Sequence, residues 1–327
     1  MDVNRVWEAR ARITPYVNKT PLIRSPVLSE QTKANVFLKL ENVQPTGSFK
    51  VRGAANKILS LSQAEQSRGV TTFSTGNHAL AVSSIARHLD MKAVICVSHR
   101  VPKAKLDAIR RYGVEIRNDF DSQDDAEAFC SQLEREGLTV IKPFDDPSVI
   151  AGQGTIGLEL MEDLPHVETV VIPLSGGGLL SGIGLALKAN NPRIRVVGVS
   201  VERGAVMYES IKAGKPVILE EKETLADSLL GGIGLDNRFT LSMVQQLADE
   251  ILLVSEPSIA AGMAYMLEAH RMGVEGAAAV GLAAVMEQKL KVDPGENIAV
   301  IVSGNNVDLS TLLRVTQQYS SSTNHLT

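Results

Sequence analysis

Residues 169–182 read TVVIPLSGGGLLSG, a β-branched run closed by a proline, three glycines in a row, and the opening of a second apolar run. Thr169 to Ser175 has strand composition, and GLLSGIGLALKA from Gly178 onward has helix spacing. A strand that ends in a tight turn and feeds directly into a helix is the repeating unit of a parallel α/β sheet. The three glycines let the backbone come close to a ligand, and the free N–H groups of the helix start would face an anion such as phosphate. A glycine-rich turn without a ligand accounts for the same residues. The dinucleotide fingerprint fails because Ser181 stands where its third glycine belongs. The Walker pattern fails at Gly214-Lys215-Pro216.

The pattern repeats outward from this stretch. Upstream, TTFS (71–74), KAVICVS (92–98), VEIR (114–117) and TVIKP (139–143) read as strands. Between them NHALAVSSIARHL (77–89), PKAKLDAIRRYG (102–113) and DAEAFCSQLEREG (125–137) read as helices. Downstream, RIRVVGVSV, ADEILLVS and NIAVIVSG (297–304) are further strands, with helices such as PSIAAGMAYMLEAHRM between them. The expected fold is α/β with two lobes of mostly parallel sheet flanked by helices. Residues 69–146 form the smaller lobe, and 1–68 with 147–327 form the larger. The hinge falls in PFDDPSVIAGQG (143–154), where Pro, Gly and Asp cluster.

Composition excludes several classes. The 327 residues carry 33 Lys and Arg against 37 Asp and Glu, a net charge of −4 with no basic stripe, which argues against a nucleic-acid partner. The N-terminus MDVNRVWEAR has no apolar core of a signal peptide. The uncharged run 170–187 contains Pro173 and five glycines, unsuited to a lipid-exposed helix. Cys96 and Cys130 form no CxxC and read as reduced thiols of a cytoplasmic protein.

Two other strand ends carry polar clusters. STGNHA (74–79) opens a helix and would present N–H groups and hydroxyls to a carboxylate; a plain N-cap reads equally well. VSGNNVD (302–308) follows the last strand, at the edge where open α/β sheets bind ligands; an Asn-rich turn would look the same. The remaining oddity is Lys50 in VQPTGSFKVRGA (43–54), a cation among residues that look buried, with Val51, Ala54, Ala55, Ile58 and Leu59 on one helix face behind it. A buried lysine calls for a partner or a covalent engagement. A lysine, a phosphate cradle and a polar ring site together suit pyridoxal 5′-phosphate, whose aldehyde condenses with a lysine amine.

In LENVQPTGSFKVRGA, STGNHA, VIAGQGTIGLE, SGGGLLSG and VSGNNVD, taken in order over almost the full length, the chain resembles the fold-type II pyridoxal-phosphate enzymes of the threonine/serine dehydratase and serine racemase group. The resemblance implies that Lys50 binds the cofactor aldehyde, with Phe49 beside the cofactor. Asn77 would reach the ring 3′-oxygen, and Gly176, Gly177, Gly178 and Leu179 would hold the phosphate through N–H groups. Ser303 would face the ring nitrogen. Ser74, Thr75, Gly76 and His78 would take the substrate α-carboxylate. The implied reaction is loss of water from a 3-hydroxy amino acid, giving a 2-oxo acid and ammonia, with the leaving hydroxyl protonated by the cofactor phosphate. A homodimer is implied as well. The alternatives are an amino acid racemase or another β-eliminating lyase on this scaffold, and beyond those a non-catalytic phospholigand binder.

Departures sharpen these expectations. Thr75 stands where the racemase branch has serine. Ser200, Gly204 and Val206 occupy the positions of that branch's divalent-cation ligands, so no structural magnesium or calcium is expected there, and Glu202 and Asp227 read as solvated or capping. Glu275 is followed by Gly276 where relatives have proline. The chain ends soon after the last strand, without the regulatory extension of biosynthetic threonine deaminases. GVSVERGAVM and ADSLLGGIGLDNRFT resemble the dehydratases of hydroxyectoine utilisation. The side-chain pocket is expected near Phe144, Gln153 and Gly231 to Asn237.

Overall fold

The computed structural model describes residues 1–74, 76–99, 101 and 103–323. Its strands are β1 (Leu22–Arg24), β2 (Asn35–Leu40), β3 (Val70–Thr72), β4 (Ala93–Ser98), β5 (Glu115–Phe120), β6 (Thr139–Val140), β7 (Thr169–Pro173), β8 (Arg195–Val201), β9 (Glu250–Val254) and β10 (Asn297–Val302). Six of them form one sheet in the order β1-β2-β10-β7-β8-β9, and four form another in the order β5-β4-β3-β6. Only β1 runs antiparallel to its neighbour; every other pairing is parallel.

The sequence explains why these sheets sit between helices. Along β10, Ile298, Val300 and Val302 join one apolar cluster while Ala299 and Ile301 join another on the opposite face. Both sides of the strand are dry, so the run is continuously apolar rather than alternating. The Gly276–Met286 helix, buried at every position from Gly276 to Val285, covers one face. The Gly178–Asn190 helix covers the other.

The structure differs from the sequence reading at two places. Strands β1 and β2 were not anticipated; β1 is three residues long, too short for its periodicity to register. The segment 143–154 is not all hinge. A helix starts at Pro147 and runs to Asp163, with Pro in its first turn and Asp146 accepting from the Ser148 and Val149 N–H groups. Its glycines serve contact rather than flexibility. A Cβ at Gly152 would stand 2.5 Å from the Arg52 carbonyl, and one at Gly154 would stand 2.9 Å from that of Gly182.

Distant cysteines also converge. Cys96 and Cys130, both free and buried, approach the Thr71 hydroxyl at 3.7 and 3.3 Å. Among the described residues no helix is long and apolar enough to cross a membrane.

Candidate active site

The carboxyl end of β10 meets the start of the Lys50–Leu59 helix. The loop before that helix is sewn onto the end of β10. The Phe49 N–H donates to the Ser303 carbonyl (3.1 Å), the Asn305 N–H donates to that of Gly47 (2.9 Å), and Ser48 bridges Gly304. Lys50 is the first helical residue, so its side chain projects from the helix end rather than into the apolar face behind it. Val51, Ala54, Ala55 and Ile58 of that face are buried as expected.

The half-buried Lys50 amine donates to the Pro143 carbonyl at 2.9 Å and lies 5.2 Å from the centre of the Phe49 ring. Burial lowers its pKa to about 8 from 10.5, partly offset by the Glu275 charge. Desolvation costs the ammonium more than one carboxylate restores, which leaves an amine that is neutral and nucleophilic in mild alkali.

The glycine loop after β7 stands opposite. Gly177 has φ +84°, the left-handed region, and caps the Gly178–Asn190 helix. A Cβ at Gly176 would fall 2.4 Å from the Phe144 ring, and at Gly177 2.8 Å from the end of Met207. No side chain fits on this loop, so the N–H groups of the first helical turn are the polar chemistry it has to offer. Leu179 is buried beneath it.

Asn77, buried at the start of the Asn77–His88 helix that follows β3 of the four-stranded sheet, meets residues that flank β10 of the six-stranded one. Its amide nitrogen donates to both Glu275 oxygens (2.9 and 3.0 Å), and its carbonyl oxygen accepts from Asn306 (2.6 Å), which also donates to the Thr46 carbonyl (2.9 Å). These partners fix which end of the amide is which. Burial raises the Glu275 pKa to about 7, against the lowering by the Asn77 hydrogen bond. Gly276 also has a reason to replace proline: any Cβ there would lie 2.2 Å from the Leu225 carbonyl.

The loop expected to take a carboxylate is open above Gly76, where an added Cβ would touch nothing. The Gly76 N–H reaches the Ser74 hydroxyl at 3.4 Å; Thr75 lies outside the described residues. The His78 side chain does not line that loop. It is buried, and its Nε2–H donates to the Ile141 carbonyl (2.8 Å), so His78 offers the loop its backbone N–H. Burial and the Lys50 charge hold the ring pKa down near 3, so the imidazole is neutral, with Nδ1 lacking a partner.

Among the described residues no group of three or more His, Cys, Asp or Glu could hold a metal ion. Glu202 pairs with Lys289 (3.0 Å) and Asp227 with Lys105 (2.9 Å). Two functional elements escaped the sequence reading. One is the Pro143 carbonyl that receives Lys50. The other is the orienting role of Asn306, which looked like one more residue of a polar turn.

These groups fit pyridoxal phosphate on the geometry alone. There is a loop too tight for any side chain and lined by helix-start N–H groups, an amine that donates to a lone backbone carbonyl, and an amide oriented by Glu275 and Asn306. The family described as "Pyridoxal-phosphate dependent enzyme" matches residues 13–304. A putative threonine dehydratase from Sinorhizobium fredii is 46% identical over 94% of this chain and 93% of its own length. An L-threonine ammonia-lyase from Thermotoga maritima is 42% identical over 95% of this chain and 77% of its own. The solved structure of maize serine racemase superposes with a TM-score of 0.90 at 35% identity, covering 100% of this chain and 99% of that one. The motifs, the fold and these matches agree: the chain belongs to the pyridoxal-phosphate-dependent enzyme family, in its fold-type II branch.

Proposed function

We propose that this enzyme is a dehydratase that removes water from a 3-hydroxy amino acid and yields a 2-oxo acid and ammonia. The observation that carries this reading is the Lys50 amine, with its pKa lowered to about 8, resting 2.9 Å from the Pro143 carbonyl. Backbone N–H groups of Gly176, Gly177, Gly178 and Leu179 would hold the phosphate. Asn77 would reach the ring 3′-oxygen, Ser303 would face the ring nitrogen, and Phe49 would lie beside the ring. When bound, pyridoxal phosphate supplies the sink for charge that develops at the substrate Cα. A neutral serine at the ring nitrogen keeps that sink weak, which suits elimination over transamination.

The protein's own part is positioning and proton transfer. Ser74, Thr75, Gly76 and the His78 N–H hold the α-carboxylate. The neutral Lys50 amine takes the Cα proton, the β-hydroxyl departs as water, and the released enamine hydrolyses to 2-oxo acid and ammonia. Candidate substrates are L-threonine, L-serine, threo-3-hydroxyaspartate and a hydroxylated amino acid derived from hydroxyectoine. The pocket for the side chain lies between Phe144, Gln153 and the 231–237 segment. A cytoplasmic homodimer with a small amino acid as its only partner completes the reading.

A second reading, a racemase, draws support from the full-length likeness to maize serine racemase. Product analysis separates the two. Purified protein is expected to show a visible band near ~410–430 nm that is lost in Lys50→Ala, and to release oxo acid and ammonia from one of the substrates named. The D-enantiomer as sole product replaces the dehydratase by the racemase. A colourless protein that added cofactor cannot restore leaves only a phospholigand binder.

A further inference from the structure

Between β6 and the Pro147–Asp163 helix, consecutive residues face different partners. The Pro143 carbonyl receives the Lys50 amine. The Phe144 ring fills the space a side chain at Gly176 would need, and its Cβ and backbone press within 2.9 to 3.1 Å of where a Cβ at Gly178 would sit. Asp145, only 7% exposed, accepts three successive N–H groups: Arg238 at 2.8 Å, Phe239 at 2.9 Å and Thr240 at 2.9 Å. Asp146 points the other way, capping its own helix and pairing with Lys57 at 2.7 Å.

The three N–H groups that Asp145 collects open the Thr240–Leu247 helix, whose own N-cap, Phe239, has no side-chain acceptor to offer. That helix bears on the glycine loop from the side opposite Phe144. A Cβ at Gly177 would meet Val244 at 2.9 Å and Thr240 at 3.1 Å. The loop is therefore gripped between two jaws, Phe144 on Gly176 and Gly178, and Thr240 with Val244 on Gly177. Asp145 is joined covalently to one jaw and hydrogen-bonded to the other.

We propose that Asp145 is a positioning residue for cofactor binding: it fastens the two jaws and so holds the glycine loop in its phosphate-accepting shape without touching the cofactor. Charge-assisted bonds to three N–H groups are strong and directional, and the loop has no side chains of its own to keep its form. The proposal rests on pyridoxal phosphate being the ligand of that loop.

The test is titration of apoprotein with pyridoxal phosphate and with pyridoxal, which lacks the phosphate, read by the visible band. Apoprotein melting is measured in parallel. Asp145→Ala is expected to weaken pyridoxal phosphate binding about tenfold or more while leaving pyridoxal binding unchanged. Asp145→Asn, which keeps an acceptor oxygen, recovers most of the loss. Asp146→Ala, which removes the neighbouring cap, lowers the melting temperature but holds pyridoxal phosphate within about twofold of wild type. If Asp145→Ala does not fold, the Asn variant carries the same comparison at smaller amplitude. Unchanged pyridoxal phosphate affinity in Asp145→Ala overturns the proposal, as does full wild-type affinity in Asp145→Asn where the Ala variant does not fold. So does an equal loss in Asp146→Ala, or a parallel loss of pyridoxal. Wild-type protein that gives no band with pyridoxal phosphate fails earlier, and it refutes the cofactor rather than the role of Asp145.

Discussion

Lys50 and Arg52 are two residues apart on one helix, yet they sit in opposite electrostatic worlds. Arg52 is 1% exposed and has every donor engaged. It holds Glu41 at 2.8 Å through two nitrogens, holds Glu159 at 2.6 and 3.0 Å, and reaches Thr155 and the Asn18 carbonyl. Lys39, fully buried, adds a second cation 2.7 Å from Glu159. Burial opposes the Arg52 charge, but Glu41 and Glu159 outweigh it and raise its pKa. At Lys50 the balance is reversed. One neutral carbonyl receives the amine, burial wins over Glu275, and the pKa falls. A buried charge with a full set of partners is structure; one with too few is chemistry held ready.

The largest effect expected from breaking this contrast is on turnover. Lys50→Ala removes the base and the cofactor's anchor, and kcat should fall by about 10⁴-fold or more. Stability should not fall with it. With a folded pKa near 8 and an unfolded one near 10.5, the wild-type lysine disfavours folding most below pH 8 and not at all above pH 10.5. Apo Lys50→Ala should therefore melt at or above the wild-type temperature at pH 7. A clear drop in its melting temperature would assign Lys50 to the scaffold and erase the comparison.

Arg52→Ala should do the reverse. It leaves two buried carboxylates to share Lys39, and denaturant unfolding should register a loss of about 3–5 kcal/mol. Any activity change should follow the fraction folded. A variant with wild-type stability and lost turnover would mean that the cluster belongs to the site after all.

How much of this was legible beforehand follows the range of the interactions. The glycine loop, the strand before it and the apolar face of the Lys50 helix are encoded within a dozen residues each, and the sequence displays them. The Arg52 cluster is not, because its second carboxylate, Glu159, is 107 residues away from Arg52. Asp145 was hidden for another reason. In the string PFDDP two adjacent aspartates look alike, and only the fold turns one to its own helix and the other to residues 238–240. The same string suggested a hinge through residue 154, since proline and glycine punctuate loops more often than they pack helices. At Gly152 and Gly154 the missing side chain is what permits helix contact.

Glu275 stands between the two worlds, buried with an amide for a partner and, among the described residues, no cation bonded to it. With its folded pKa near 7 and an ordinary value of 4.5, the ionised carboxylate costs stability above pH 7, and that cost fades as pH falls to 4.5. Glu275→Gln should therefore raise the apoprotein melting temperature at pH 8 and leave it unchanged near pH 4.5. Its amide can turn Asn77 around, so cofactor affinity should drop several-fold at the same time. Equal melting of the two proteins at pH 8 would show that Glu275 is stably paired, as the Arg52 carboxylates are.

The smallest effect belongs to an exposed pair. Lys105, from the segment between β4 and β5, meets Asp227, from that between β8 and β9, at 2.9 Å, with side chains 33% and 49% exposed. Solvent screens such a pair, so Lys105→Ala should cost under about 1 kcal/mol and raise KM by less than about fivefold. That rise should shrink as salt approaches about 0.5 M, whereas the losses in Arg52→Ala and Glu275→Gln persist, because ions reach the surface and not the interior. A salt-insensitive rise in KM would place Lys105 with the buried charges instead, in contact with the substrate rather than with Asp227 alone.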